Sequence, residues 1–306
     1  MKLVLFAHKK VGYECIRFLF NNSIQQFVVL PKSKNFNDNN YTKEFLKKNK
    51  IPFMEVSSMN KKGLFEKLVE FNAKACFSCY FPKIIPLKIL SIFNNGSFNL
   101  HGGLLPHYMG TFSGAWSIIN DEKKTGSTLH LMDEKVDVGD IVEVRYVSIS
   151  NNDTGISLYN KVALKSIDLF KKYSLQIVKN IKVNSTPQNL SEASYYKRQV
   201  PYNGIIQWSW DSRKVYNFCR ALEFPPFKNA ISLLDEKEIE VMKCKEIING
   251  KINKKHGEIL SINKDGILIA CHKNNILITK IKMENKIFSN FKKLPFINKK
   301  YIGSKI

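Results

Sequence analysis

Arginine is scarce in this chain: Arg17, Arg145, Arg198, Arg213 and Arg220 are the only ones among 48 basic residues. Against 26 acidic residues these give a formal charge of +22, which attracts and steers polyanions. Planar guanidinium, however, is the preferred group for bidentate contacts to phosphates and base edges. A basic chain so poor in arginine, and rich in Asn and Ile, is weak evidence for an RNA partner and is compatible with a nucleotide diphosphate. Cysteine is thin as well, six in 306 residues: Cys15, Cys76, Cys79, Cys219, Cys244 and Cys271. That spread excludes a small disulfide framework and points to reduced thiols. Cys76 and Cys79 form a CxxC, but AKACFSCYF reads as a buried strand and no second pair stands at zinc-ligand spacing, so no metal is expected. Long apolar runs are missing: none reaches about 18 residues, which leaves no bilayer-spanning candidate. The apolar run of Met1 to Ala7 is short for a signal peptide, and His8-Lys9-Lys10 offers no small-residue cleavage site. A cytoplasmic protein with no membrane partner is expected.

An apolar fraction of 44% over this length supports a sizeable core divided between two domains. Lys2 to Ala7 reads as a strand, the 3.6 period of Cys15, Ile16, Leu19 and Phe20 as a helix, and Gln26 to Leu30 as a second strand. The alternation continues with a helix near Thr42 to Lys50, a strand at Pro52 to Met54 and a helix near Lys62 to Phe71. A strand at Ala75 to Tyr80, a helix near Lys83 to Ile92 and a strand at Ser97 to His101 follow. Such alternation predicts an α/β fold, a doubly wound, Rossmann-like and mostly parallel sheet whose ligands bind outside the carboxyl ends of its strands. Strands at Ser127 to Met132 and Ile141 to Ser148 and a long helix from Gly155 to Ile181 complete an N-terminal domain over 1–183. A polar linker with Pro187 and Pro201 covers 184–204. Over 205–306, a helix near Ser212 to Leu222 precedes short strands at Ile231 to Leu234, Ile239 to Val241, Glu258 to Leu260, Ile267 to Cys271 and Ile276 to Ile278. Short strands broken by turns predict a small β-barrel.

The chemistry concentrates between Ser97 and Val142, where a strand pattern gives way to a polar segment. Asn99 and His101 are two apart, so on a strand both side chains point to one face. Gly102, Gly103, Pro106 and Gly110 punctuate the loop that follows. Asp133, Glu134, Asp137 and Asp140 form an acidic cluster whose ordinary reading is a solvated loop. His8, His130, His256 and His272 are read as structural histidines, while His107 lies within the loop.

Asn99, His101, Leu104-Leu105-Pro106, Thr125-Gly126 and Val136-Asp137-Val138-Gly139-Asp140 resemble, in order and spacing, the 10-formyltetrahydrofolate-dependent formyltransferases. That family includes methionyl-tRNA formyltransferase and the nucleotide-sugar N-formyltransferases. The resemblance implies that Asn99 donates to the oxyanion forming on the formyl oxygen and that His101 takes the proton lost by the acceptor amine. It also makes Asp137 the carboxylate that holds the imidazole and raises its pKa by opposite charge. The implied folate pocket is Lys83-Ile84-Ile85 with the loop Asp133, Glu134, Lys135, Val136 and Asp137, largely through backbone, and Asp140 in support. Lys9 and Lys10, in the loop after the first strand, and Thr111 are candidates for the nucleotide-linked substrate. The loop HGGLLPHYMGT departs from many relatives at Gly103, His107, Met109 and Thr111, positions outside the catalytic set.

Tyr195 to Ala230 is similar to the family's junction with an OB-like second domain, and the family implies a homodimer. FNLHG, FSCYF and TLHLMD resemble the nucleotide-sugar branch, and the segment after Leu30 lacks a dense basic insertion that would grip a tRNA. The expected acceptor is therefore an amino-deoxy sugar on a nucleoside diphosphate, such as a dTDP-amino sugar for lipopolysaccharide O-antigen. The alternatives are methionyl-tRNA formyltransferase, with steeply salt-dependent binding, and a non-enzymatic RNA-binding protein with an OB module.

Overall fold

The computed structural model describes residues 2–32, 39–234, 237–248 and 254–291, and the backbone of Ile302–Gly303. Of the segment after Leu30, residues 33–38 lie outside the described ones. The first half alternates β1 (Lys2–Ala7), α1 (Lys9–Asn21), β2 (Gln25–Pro31), α2 (Asn40–Lys48), β3 (Phe53–Val56), α3 (Leu64–Phe71), β4 (Ala75–Cys79), α4 (Leu87–Leu90) and β5 (Ser97–His101). There follow β6 (Met109–Gly110), α5 (Ser113–Ile119), β7 (Lys124–Leu131), β8 (Ile141–Ser148) and α6 (Gly155–Val178). The remainder holds β9 (Tyr195–Tyr196), α7 (Ser212–Ala221), β10 (Ala230–Leu234), β11 (Lys237–Ile247), β12 (Ile259–Asn263), β13 (Gly266–Ala270), β14 (Asn275–Met283), β15 (Lys286–Phe288) and β16 (Ile302–Gly303).

The contacts divide the chain into two compact units. One comprises 1–110, 125–147 and 161–195, the other 111–124, 148–160 and 196–306. The first unit is a seven-stranded sheet in the order β3-β2-β1-β4-β5-β7-β8. Pairing is parallel from β3 through β5 and antiparallel between β5 and β7. The central strands are buried without alternation, Leu3 to Ala7 in β1 and all of β4, as expected of parallel strands covered on both faces. Strand order reverses between β1 and β4, the switch point beside which ligands of such sheets bind.

Alternation in β5 sets the site. Phe98 and Leu100 share one face, and Phe98 stacks on Phe77 at 5.1 Å, which in turn meets Phe170 of α6 at 4.9 Å. Ser97, Asn99 and His101 occupy the opposite face. Burying a Phe side chain stabilises by about 1.5–3 kcal/mol, so this aromatic stack fixes the strand whose other face carries the polar residues.

The second unit is an antiparallel sheet ordered β12-β13-β14-β11-β10-β16, with β15 pairing with β14. Helix α7 buries Val215, Phe218 and Cys219. Its polar side reaches back along the chain: Arg213 donates to Asp121 Oδ1 at 2.6 and 3.0 Å, and Arg220 Nη1 donates to the carbonyls of Asp153 at 2.7 Å and Ser150 at 3.1 Å. These bonds explain why 111–124 and 148–160 group with the C-terminal part. All six cysteines are free thiols, and burial pushes the Cys76 thiol up to about 12, far from a reactive thiolate. No helix among the described residues is long and apolar enough to cross a membrane.

Candidate active site

Three segments of the first unit meet on the polar face of β5. The antiparallel register with β7 sets Asn99 opposite His130, and the β7–β8 connection folds back to bring Asp137 against both strands. Asp137 Oδ2 lies 3.4 Å from His101 Nδ1, and Oδ1 lies 3.4 Å from His130 Nε2 and 3.4 Å from Asn99 Nδ2. Asn99 Nδ2 is 3.0 Å from His130 Nε2. His101 (6% exposed), His130 (2%) and Asp137 (7%) are buried, while Asn99 is partly exposed. The cluster therefore opens to solvent through the asparagine.

Asp137 and the backbone beside it are held by three hydrogen bonds from two residues. The Gly110 N–H donates to Oδ2 at 2.8 Å, and Gln188 Nε2 donates to the carbonyls of Asp137 and Gly139 at 2.8 and 2.6 Å. Asp137 itself adopts φ 60°, a left-handed conformation that Asp tolerates better than most residues. Gly139 is required by close approach: a Cβ there would stand 2.0 Å from the Leu131 carbonyl oxygen. Gly126 meets the same constraint, with a Cβ falling 2.3 Å from the Arg145 carbonyl oxygen.

Electrostatics divide the pair. Burial alone would raise the Asp137 pKa, but His101, His130 and the Gly110 N–H outweigh it and hold the carboxyl well below the usual carboxylate range. For His101 burial is the largest influence and the net shift is downward, although Asp137 raises the pKa by opposite charge as expected. Nε2 of His101 lies 2.9 Å from the Tyr108 carbonyl, which only accepts, so in the neutral ring the proton sits on Nε2 and Nδ1 faces Asp137 bare.

The structure brings Asn99, His101 and Asp137 together, and with them His130, which the sequence reading leaves as structural. Its alternation in TLHLMD was visible; its partner across the sheet was not. Gln188, inside the expected linker, was missed for the same reason. The other expected positions are more dispersed. Lys83 Nζ donates to the Ser57 carbonyl at 2.7 Å, and Lys83 and Ile84 line a shallow cavity of about 350 Å³ with Ser57 to Asn60 and Pro86. Ile84 is exposed, whereas Ile85 belongs to the apolar core around Phe6 and Phe81. Asp133, Glu134, Lys135 and Val136 form an exposed run, and Asp140 accepts from Ser185 Oγ at 3.4 Å. Lys9 and Lys10 stand in the first turn of α1 rather than in a loop, both exposed. Thr111 falls in the second unit, its hydroxyl donating to the Lys197 carbonyl at 3.0 Å. Among the described residues no group of His, Cys, Asp or Glu is arranged to hold a metal ion.

The family model for formyl transferase matches residues 20–172, and that for the formyl transferase C-terminal domain matches 200–294. The bifunctional polymyxin resistance protein ArnA of Wigglesworthia glossinidia brevipalpis is 34% identical over 285 residues, covering 91% of this chain. The match spans only 42% of that longer protein. A 4-N formyltransferase from Francisella tularensis shares the fold at a TM-score of 0.63 and 26% identity, over 77% of this chain and 93% of its own. An N-formyltransferase from Helicobacter canadensis, solved with folinic acid and dTDP-3-aminofucose, superposes at a TM-score of 0.68 and 22% identity, over 91% of this chain and 98% of its own.

Proposed function

Because the chain belongs to the formyl transferase family, we propose that it moves a formyl group from 10-formyltetrahydrofolate to the amine of a nucleotide-linked amino-deoxy sugar. The supporting observation is the partly exposed Asn99 at the edge of a buried His101–Asp137 pair. Formyl transfer to an amine needs a neutral nitrogen nucleophile, a donor for the oxyanion that develops on the formyl oxygen, and a site for the proton the amine loses. In this reading Asn99 is the donor. His101, held neutral by burial, receives the proton at Nδ1, and Asp137 Oδ2 at 3.4 Å stabilises the resulting charge. The exposed run Asp133 to Val136, with Lys83, Ile84, Ile85 and Asp140, is assigned to the folate. Lys9 and Lys10, at the start of α1, are assigned to the diphosphate, and Thr111 to the sugar nucleotide. The same reading includes an OB-like C-terminal domain, a homodimer and a cytoplasmic role in surface polysaccharide assembly.

The test is release of tetrahydrofolate from 10-formyltetrahydrofolate with a panel of 3-amino and 4-amino sugar nucleotides, dTDP-linked ones first, and with charged initiator tRNA. Turnover with a sugar nucleotide that vanishes in His101→Ala supports the reading. Turnover with the tRNA alone overturns it in favour of methionyl-tRNA formylation.

A further inference from the structure

Both N–H groups of Asn99 turn inward. Nδ2 lies 3.0 Å from His130 Nε2 and 3.4 Å from Asp137 Oδ1, and Oδ1 accepts no hydrogen bond among the described residues. His130 dictates this orientation. Its Nδ1 lies 2.7 Å from the Leu131 carbonyl, which can only accept, so the proton of the neutral ring sits on Nδ1. Nε2 then carries a lone pair, and Asn99 must offer it the NH2 rather than the C=O. The hydrogen-bond network thus assigns the amide, as such assignments require.

A charged His130 reverses the constraint. Nε2 becomes a donor, aimed at Asp137 Oδ1 from 3.4 Å; its hydrogen then opposes the Asn99 NH2, which is left with Asp137 Oδ1 alone, the longer of its two contacts at 3.4 Å. The titratable groups facing the ring are Asp137, from the β7–β8 connection, and His101 of β5, whose ring centroid is 6.4 Å away.

We propose that His130 is a positioning residue whose charge decides which end of the Asn99 amide faces the reacting groups. Neutral, it holds the Asn99 carbonyl outward, where it accepts an N–H of the arriving amine and aims its lone pair. Charged, it frees the amide to turn its NH2 outward and donate to the formyl oxygen. The consequence for catalysis rests on the formyl-transfer reading; the amide orientation does not.

Two measurements test this on the entire 306-residue chain. Nitrogen-15 NMR of labelled histidine, with His130 assigned by its loss in His130→Gln, should show the Nδ1–H tautomer near pH 8.5. A proton on Nε2 at that pH overturns the proposal. In the kinetic arm, the Gln carbonyl of His130→Gln accepts from Asn99 and does not titrate. That variant should keep the KM for the folate donor and lose one ionisation from the kcat–pH profile. His130→Leu, without an acceptor, should lose roughly 10- to 100-fold in kcat, the scale of a misplaced reacting group, with Gln restoring part of it. A kcat–pH profile for His130→Gln that matches the wild type overturns the proposal, even where the Leu variant fails to fold. Absence of wild-type turnover with every acceptor would instead sink the formyl-transfer reading and leave the tautomer result to stand alone.

Discussion

The backbone N–H of Gly110 donates to Asp137 Oδ2 at 2.8 Å, anchoring the carboxylate to the loop after β5 independently of either histidine. Asp137→Asn preserves one acceptor for that bond but turns an NH2 toward the Asn99 NH2 and removes the charge beside His101. The expected outcome is a fall in kcat of about 100-fold or more, the range of lost acid–base assistance, with near-native melting. Unchanged turnover would remove Asp137 from the chemistry.

Acid should weaken the fold in two stages. His101 has its pKa lowered by burial below the ordinary 6.5, so as pH falls through 6.5 the unfolded chain binds a proton that the folded one refuses, and stability drops. Asp137 has its pKa depressed below the ordinary 3.8. The stability it contributes is present above 3.8 and is lost as pH falls through its folded value. Urea-unfolding midpoints measured from neutral to acidic pH should show both declines, with the first absent in His101→Asn. Midpoints that hold steady from pH 7 to 5 in the wild type would contradict the burial argument.

Gly139→Ala forces a methyl against the Leu131 carbonyl, 2.0 Å from where its Cβ would fall. Overpacking of this kind costs about 1–3 kcal/mol, and a shift of about 1 Å at Asp137 would cost on the order of 100-fold in rate. Denaturation and kcat should fall together. A variant as active and as stable as the wild type would mean that the β7–β8 connection is free to move without consequence.

Arg220→Met removes the donor to the carbonyls of Ser150 and Asp153. Asp153 is buried, and a buried carbonyl that loses its donor costs about 1–3 kcal/mol, whereas Ser150 is exposed and its carbonyl can turn to water. The loss should appear in denaturant midpoints, while the KM for a sugar nucleotide stays put. A large rise in KM with unchanged stability would show that Arg220 serves a ligand instead.

Much of this was legible because the informative patterns are local. Continuous apolar runs gave β1 and β4, the two-residue spacing put Asn99 and His101 on one face of β5, and the VDVGD spacing singled out Asp137. What escaped depends on pairing between distant segments. His130 acquires meaning only from the antiparallel register that sets it opposite Asn99. Helix α5 hides in a loop-like stretch because Ser113 and Gly114 start it with poor helix formers. The helix expected from Lys83 to Ile92 shrinks to Leu87–Leu90, since Pro86 cannot occupy a helix interior. Strand β11 runs to eleven residues, but only Ile239 and Val241 are buried in it and its register shifts around Lys243, which breaks the two-residue period that marks a strand. The raising influence of Asp137 on His101 was legible, but the larger effect of burial was not, because sequence spacing carries the charge of a neighbour and not the depth at which the ring lies.

The chain passes between its two compact units at Gly110, Lys124, Val147, Asn160 and Tyr195. Neither unit is therefore a contiguous module. A fragment cut near residue 200 would carry Arg213 and Arg220 away from Asp121, Ser150 and Asp153, the groups that satisfy them. Chimeras that exchange C-terminal halves between relatives should succeed only when the short segments 111–124 and 148–160 travel with them, which makes the unit of exchange three pieces of chain where a single cut suggests one.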